Sequence, residues 1–259
     1  MRRPQKILFV SSPGLGHLFP LIPLAWAFRA QGHEVVIAIA EHAERAAASG
    51  LEVVDVAPDY NQIDVFQRVQ AENPDFATTV AARPAIDMED WAIMIAAVNR
   101  SLIDRLIALT DEWQPDLVVY EQGATAGLYA AARAGVPAVQ RNHSSIRTRG
   151  MHGAIASFLT DFHERYDLPS ALPQPQATIE SFPPSMLLGV EPEGWFMSWV
   201  PYGGGTVIDR ASLARRDRPL IGVTLGTIQL QAFGLDAIHS IVAAAAKVPA
   251  DFILALGDL

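Results

Sequence analysis

Short runs of consecutive apolar residues alternate along the chain with segments in which apolar residues recur every three or four positions. Continuous runs predict strands buried on both faces, and the longer recurrence predicts helices. The predicted strands are Lys6–Ser11, His33–Ala40, Leu51–Val56, Leu117–Tyr120, Ala138–Gln140, a stretch around Thr178–Ile179, Leu220–Leu225 and Phe252–Leu256. The predicted helices are His17–Gln31, Ala43–Ala48, Asp90–Trp113, Ala124–Ala134, a segment that reaches Tyr166, and Asp236–Lys247. This alternation predicts an α/β fold with a parallel sheet and right-handed crossovers.

Two stretches interrupt the alternation. Residues 59–90 carry polar, acidic and scattered apolar positions without long periodicity, which predicts either a surface excursion of loops and short helices or a lid over a ligand. Residues 201–218 begin with proline, tyrosine and three glycines and continue with several arginines, which is typical of an interdomain linker. The predicted domains are therefore 1–200, a complete α/β unit, and 219–259, the first βαβ of a second unit.

Candidate chemistry lies where two predicted strands end. The first strand leads into a loop in which Gly14 and Gly16 let the backbone approach a ligand, and His17 begins the following helix. Because a helix N-terminus disfavours imidazolium, His17 is expected to stay neutral and able to accept a proton. Glu121 ends the strand Leu117–Tyr120, so the carboxylate and the imidazole are expected to converge at one edge of the sheet. The alternatives are that Glu121 caps its own helix and that His17 is a structural cap or surface residue.

Composition narrows the classes of function. The chain has 259 residues, of which 50% are hydrophobic and 18% charged, so it is able to bury a substantial core. The net charge of −9 argues against a nucleic-acid partner or an anionic membrane. The chain has no cysteine, which excludes disulfides, thiolate metal sites and thiol nucleophiles, and no spacing indicates a metal-ligand cluster. Neither a signal peptide nor a membrane span is evident, which predicts a cytoplasmic protein.

Several motifs carry a resemblance that covers essentially the whole chain. The segment 14–25, which reads Gly-Leu-Gly-His-Leu-Phe-Pro-Leu-Ile-Pro-Leu-Ala, together with Gly32-His33-Glu34-Val35 resembles the opening of the GT-B glycosyltransferases that decorate natural products. Later landmarks of those enzymes are similar, and follow in the same order, to Pro115–Tyr120, Ala131–Pro137, Trp199–Tyr202 and Val223–Thr227. The resemblance implies two Rossmann-like domains facing a cleft. Residues 1–200 would hold the acceptor, and residues 219–259 would begin the domain for the sugar nucleotide.

The resemblance also implies roles for particular residues. His17 matches the general base that deprotonates the acceptor hydroxyl, and Glu121 stands where many members have an aspartate that hydrogen-bonds this histidine. The implied donor-binding residues are Gly16, Gly226 and Thr227. The implied acceptor-binding residues are Gly14, Phe66, Trp91, Met94, Asn142 and His143. From the residues alone, the favoured interpretation of His143 is a solvent-facing loop histidine, and the alternative for Trp91 and Met94 is that they belong to the core stripe of a helix.

The implied reaction is a single displacement with inversion at the anomeric carbon. It transfers a deoxysugar from a dTDP- or UDP-linked donor to an antibiotic or polyketide aglycone, and uses no metal and no cofactor. The family's donor signature, a segment rich in histidine and glycine, is not found before Leu259, so the chain is expected to transfer sugar poorly by itself. Two rival hypotheses stay open: a lipid-linked N-acetylglucosaminyltransferase, and a non-catalytic acceptor-binding module or helper. A homodimer or a helper protein is also left open as a partner.

Overall fold

The structure is a computed structural model that describes residues 3–76, 91–187, 191–205, 207–208, 210, 215–226 and 235–256. The chain divides into two compact units, Met1–Gly205 and Thr206–Leu259. Much of the predicted excursion at 59–90 lies outside the described residues, because the description stops at 76 and resumes at 91. In the described part of the chain, no helix combines the length and the apolar character that crossing a bilayer requires.

A seven-stranded parallel sheet forms the first unit. Its strands are β1 (Lys6–Val10), β2 (Glu34–Ile39), β3 (Glu52–Asp55), β4 (Leu117–Glu121), β5 (Ala138–Asn142), β6 (Ala177–Glu180) and β7 (Trp195–Phe196). They lie in the order β3-β2-β1-β4-β5-β6-β7, so β1 and β4 are neighbours in the middle of the sheet. The predicted α/β class with a parallel sheet is confirmed, and β7 is a strand that the sequence did not predict.

The helices of this unit connect the parallel strands. They are α1 (Leu15–Leu18), α2 (Ile22–Ala30), α3 (Ala43–Ala47), α4 (Gln62–Glu72), α5 (Ala92–Trp113), α6 (Ala126–Ala134), α7 (Met151–Ala156) and α8 (Asp161–Arg165), with a 3-10 turn at Pro184–Met186. The prediction of one helix over His17–Gln31 is wrong, because the chain breaks between α1 and α2 around Pro20. Pro20 has no N–H to continue the helical hydrogen bonds, and Pro23 lies in the first turn of α2, where proline is tolerated. The segment predicted to be helical up to Tyr166 is likewise two short helices, α7 and α8.

Hydrophobic side chains cover both faces of the sheet. Successive residues of a strand point to opposite faces, so Ile7 and Phe9 of β1 pack against α1 and α2, while Leu8 and Val10 contribute to the other core. That second core includes residues of α5, α6 and α7. All four of these β1 side chains are fully buried. Burial on both faces explains why the central strands read as continuous apolar runs.

Helix α6 lies unusually close to strand β4. A Cβ atom on Gly127 of α6 would stand 2.5 Å from the Cβ of Tyr120 on β4. Real Cβ atoms do not approach so closely, so only glycine permits this spacing between the helix and the strand. Tyr120 directly precedes Glu121, the last residue of β4. The packing of α6 on Tyr120 therefore also helps to position the candidate carboxylate.

The described part of the excursion contains helix α4, which begins at a capped end. The side chain of Asn61 accepts hydrogen bonds from the backbone N–H groups of Ile63 and Asp64. Val65 and Val69, four residues apart on α4, are buried in a cluster whose other buried members are Phe76, Met94 and Val98. Residues 62–72 are therefore a helix packed on α5, which is closest to the prediction of a surface excursion with short helices.

The second unit, within its described residues, contains one βαβ arrangement. Its elements are β8 (Leu220–Thr224), α9 (Asp236–Ala245) and β9 (Asp251–Ala255). The two strands pair in parallel from Leu220 opposite Asp251 to Thr224 opposite Ala255. These bounds agree closely with the strands and helix predicted from the apolar runs.

Candidate active site

The sheet brings His17 and Glu121 together. Strands β1 and β4 pair in parallel, with Val10 opposite Tyr120, so the chain leaves both strands at the same edge. Glu121 is the last residue of β4, and His17 lies in α1, shortly after β1. His17 Nδ1 is 3.2 Å from Glu121 Oε2, which is hydrogen-bonding distance. The expected convergence of imidazole and carboxylate is present in the structure.

Backbone groups hold the Glu121 carboxylate in place. The side chain is fully buried. Oε1 accepts a hydrogen bond from the Ser12 N–H at 3.2 Å, and Oε2 accepts one from the Gly123 N–H at 2.8 Å. A Cβ on Gly123 would stand 3.3 Å from Oε1, so the turn after β4 fits tightly round the carboxylate. Glu121 thus caps its own turn and also faces His17.

Glu121 and His17 shift each other's pKa. Burial alone would raise the pKa of Glu121, but the positive charge and hydrogen bond of His17, with help from His143 and the Ser12 N–H, lower that pKa to about 2. Burial alone would lower the pKa of His17, yet the Glu121 charge and hydrogen bond outweigh it, and the pKa is raised above 6.5. The direction of this shift is opposite to the one that the helix dipole alone would give. A full charge at 3.2 Å outweighs the partial charge of the four-residue helix α1.

His143 is a second imidazole at the same carboxylate. It follows β5, and its backbone N–H donates to Gln122 Oε1 at 3.0 Å. Its Nδ1 is 3.9 Å from Glu121 Oε2, and its ring meets the His17 ring edge-on at 5.3 Å between centroids. The side chain is only 14% exposed, so His143 is not the solvent-facing loop histidine of the alternative interpretation. Burial lowers the pKa of His143 to about 4, although the charge of Glu121 opposes this shift. The ring is therefore neutral near pH 7.

The glycines of the first loop shape the approach to His17. Gly14 has a φ of 102°, in the left-handed region, and its carbonyl accepts the His17 N–H at 3.1 Å, which starts α1. Gly16 is exposed, and a Cβ there would meet no atom within 4 Å. A Cβ on Gly14 would lie 3.7 Å from Cδ2 of the His17 ring, so only Gly16 borders open space. The predicted roles of the two glycines toward donor and acceptor stay predictions.

The predicted acceptor residues of the excursion lie in different environments. Phe66 is 38% exposed on α4. Trp91 is half-buried and meets Phe76 edge-on at 5.7 Å between ring centroids. Met94 is buried in the cluster between α4 and α5. Of the three, Phe66 has the largest exposed fraction, whereas Met94 is a core residue.

Asn142 belongs to a buried polar network that the sequence did not predict. Gln140 Nε2 donates to Asn142 Oδ1 and to Thr148 Oγ1, both at 2.6 Å. The Asn142 amide also donates to Glu193 Oε2 at 3.2 Å. His152 Nε2 lies 2.7 Å from Gln140 Oε1. The sequence signal that could have indicated this network is the pair of polar residues at 140 and 142, which share one face of a buried strand.

The predicted donor residues of the second unit are only partly described. Gly226 follows β8 with a φ of 76°, and its N–H donates to Thr224 Oγ1 at 3.2 Å. This is the tight turn at a strand end that the sequence predicted. Thr227 lies outside the described residues.

Comparison with known proteins gives a consistent assignment. A family model described as "Erythromycin biosynthesis protein CIII-like, N-terminal domain" matches residues 26–226. Elloramycin glycosyltransferase ElmGT of Streptomyces olivaceus is 32% identical over 257 residues, which are 98% of this chain and 66% of ElmGT. The solved structure of glycosyltransferase SnogD from Streptomyces nogalater is 30% identical, with a TM-score of 0.81, and the match covers 99% of this chain and 69% of SnogD.

A further solved structure is that of the glycosyltransferase SsfS6 from Streptomyces sp. SF2575, complexed with thymidine diphosphate. It is 24% identical with a TM-score of 0.79, and the match covers 98% of this chain and 68% of SsfS6. The parallel sheet and these likenesses define the class: the chain has the fold of the GT-B glycosyltransferases. Since the family model matches well over half of its residues, the chain belongs to the erythromycin biosynthesis protein CIII-like family. The resemblance to natural-product glycosyltransferases is confirmed, and the chain spans about two thirds of the length of ElmGT.

Proposed function

We propose that this chain is the acceptor-binding part of an inverting glycosyltransferase. The enzyme moves a deoxysugar from a nucleoside diphosphate to a hydroxyl group of a hydrophobic natural-product aglycone, and His17 takes the proton of that hydroxyl. The observation that carries the proposal is the 3.2 Å contact between His17 Nδ1 and the fully buried Glu121 carboxylate. The naming of ElmGT and SnogD as glycosyltransferases supports the reaction class.

The pair supplies a general base in a defined tautomer. With the ionised Glu121 accepting the proton on Nδ1, the ring's lone pair lies on Nε2. The His17 side chain is 45% exposed, so the hydroxyl group of a bound aglycone is able to contact it. As Nε2 takes the proton, the alcohol oxygen attacks the anomeric carbon, and the bond to the diphosphate breaks with its electron pair on the leaving group. Glu121 stabilises the imidazolium that forms.

The donor side of the proposal rests on the second unit and on a relative. Gly226 lies in the turn after the parallel strand β8, and glycine has no Cβ to obstruct a ligand there. Turns that follow parallel strands are where α/β folds bind phosphates. SsfS6 was solved with thymidine diphosphate, which supports a dTDP-linked donor over a UDP-linked one. A role for Thr227, the absence of any cofactor and a cytoplasmic location stay predictions.

A transfer assay with the full-length protein tests the proposal. We expect glycosylated product from a dTDP-deoxysugar and a polyketide aglycone, detected by mass spectrometry, with the product's anomeric configuration opposite to the donor's by NMR. Retention of configuration contradicts the single displacement. Product from a lipid-linked acceptor, and none from an aglycone, favours the cell-wall enzyme. Calorimetry that detects binding of aglycone but of no nucleotide sugar favours the non-catalytic module.

A further inference from the structure

Three side chains that commonly ligate metals meet where β1, β4 and β5 end: His17, Glu121 and His143. One candidate ligand atom of each residue lies within 4.8 Å of those of the other two. Within the described ranges, this is the single group of three or more histidine, cysteine, aspartate or glutamate side chains with such spacing. No local sequence spacing reveals it, because the three residues come from distant parts of the chain.

One separation in the cluster matches the spacing in a site for a small tetrahedral cation, and a second is somewhat longer. In a zinc site with metal–ligand bonds of about 2.0–2.1 Å, neighbouring ligand atoms are about 3.3 Å apart. Glu121 Oε2 lies 3.2 Å from His17 Nδ1, which matches this spacing. The distance from Glu121 Oε2 to His143 Nδ1 is 3.9 Å, which a small displacement of the His143 ring closes.

One atom of the cluster lacks a partner. His143 Nδ1 is buried and has no hydrogen-bond partner among the described residues. Nearly all buried polar atoms in proteins are paired, so such an atom calls for an explanation, and an ion is one of the usual ones. On the other side of the cluster, the His17 side chain is 45% exposed, which gives an ion a path from solvent.

We propose that His17, Glu121 and His143 bind one divalent transition-metal cation of the Zn²⁺ type. Two imidazole nitrogens and one carboxylate oxygen are a known donor set for zinc sites that keep an open fourth position. The chain contains no cysteine, so no thiolate competes with this site for zinc.

The consequence for activity rests on the proposed function. A neutral imidazole carries one proton, and a cation on Nδ1 of His17 leaves that proton on Nε2. Nε2 is the atom that must be unprotonated to accept the proton of the acceptor hydroxyl. The bound cation therefore inhibits transfer, and a chelator restores it.

Calorimetry with the untagged chain tests the site directly. After treatment with EDTA and its removal, we expect ZnCl₂ to bind saturably with one zinc per chain. His17→Ala and His143→Ala should each weaken zinc binding by more than about tenfold. Removal of a residue that only supports a metal ligand already costs about tenfold or more, so loss of a ligand itself should cost at least as much. His239→Ala is the matched control, because His239 is exposed in the second unit and should leave affinity unchanged.

His17 is half-exposed, so its replacement leaves the core intact, and circular dichroism checks both variants. Co²⁺ in place of Zn²⁺ should give the visible absorption of a tetrahedral ion, which disappears in His17→Ala. Absence of saturable binding, or a zinc affinity in both folded variants equal to that of the unsubstituted chain, overturns the proposal. Zinc binding by the chain, with no transfer by the zinc-free full-length protein, contradicts only the proposed function, whereas transfer without zinc binding contradicts only the metal site.

Discussion

Two histidines near the ends of strands β4 and β5 have opposite pKa shifts. His17 faces the ionised Glu121 at 3.2 Å, and its pKa is raised. His152 on α7 is enclosed by neutral partners, with Gln140 Oε1 2.7 Å from Nε2 and Thr125 Oγ1 2.8 Å from Nδ1. Burial lowers the pKa of His152 to about 4 in spite of the more distant Glu121 and Glu193.

The contrast shows that a charged partner, more than position along the sheet edge, decides which histidine exchanges protons. Both nitrogens of His152 are engaged, so its ring has no free lone pair for a substrate. His17 has one nitrogen fixed by a carboxylate and a side chain that is 45% exposed. The contrast supports the proposed role of His17 as the base and indicates that His152 links α7 to β5.

The largest expected effect follows from removing His17, the histidine with the charged partner. In the full-length protein, His17→Ala should lower kcat by about 10²- to 10⁴-fold, because a positioned general base contributes that much. The melting temperature should fall, because the buried Glu121 carboxylate loses its imidazole partner, so circular dichroism must show that the variant is folded at the assay temperature. Steady-state kinetics with a saturating donor measure the effect. An unchanged kcat removes His17 from the mechanism.

Replacement of the enclosed histidine should affect stability instead. His152→Ala removes the partner of the buried Thr125 Oγ1, at about 1–3 kcal/mol for a buried group left unsatisfied, whereas Gln140 Oε1 keeps its hydrogen bond from the Tyr120 hydroxyl. Denaturant unfolding of the chain measures the loss, with His239→Ala as the control on an exposed histidine. A loss of kcat as large as that of His17→Ala, in protein that is fully folded, would reverse the assignment.

The fit of the turn around Glu121 can be tested with two glycines. Gly123→Ala brings a Cβ to 3.3 Å from Glu121 Oε1 and Ser12 Oγ, so we expect a cost within the range of about 1–3 kcal/mol for overpacking. Gly153→Ala, on α7 with no atom within 4 Å of the new Cβ, should instead stabilise by about 0.5–1 kcal/mol. Chemical denaturation compares the two. Equal effects from both substitutions would show that the turn is looser than the structure indicates.

The smallest effect is a shift in titration. Glu121 stabilises the imidazolium form, so His17 should lose its proton at a pH above 6.5, and Glu121→Gln should move that titration to lower pH. Because the neutral ring is the base, the acid limb of kcat/KM follows in the same direction. NMR titration of the histidine ring protons in the chain measures both variants, and His152 should stay neutral down to about pH 4. An unmoved His17 titration limits Glu121 to holding the backbone.

The sequence predicted the sheet and the meeting of His17 with Glu121 because both depend on local patterns. Buried apolar runs identify parallel strands, and residues just after neighbouring strands emerge at one edge. The turn of His143 toward Glu121 was not predictable in this way. It depends on Gln122 Oε1 accepting the N–H groups of His143 and Ser144, which is a contact between distant segments.

Other differences have similarly physical reasons. The raised pKa of His17 depends on a distance to Glu121 that no sequence pattern contains. Strand β7 has two exposed residues, Trp195 and Phe196, so it offers no apolar run or alternation to detect. Helix α4 buries Val65 and Val69 against α5, and two valines four residues apart are too short a pattern to identify a helix by themselves.

The close approach of Gly127 to Tyr120 limits how this scaffold can be engineered. Libraries that randomise position 127 should yield almost no folded clones, because every side chain would lift α6 away from β4. Position 16 sits in open space, so it tolerates variation and offers designers a place to alter selectivity. A successful redesign would keep Gly127 and vary the residues at and around position 16.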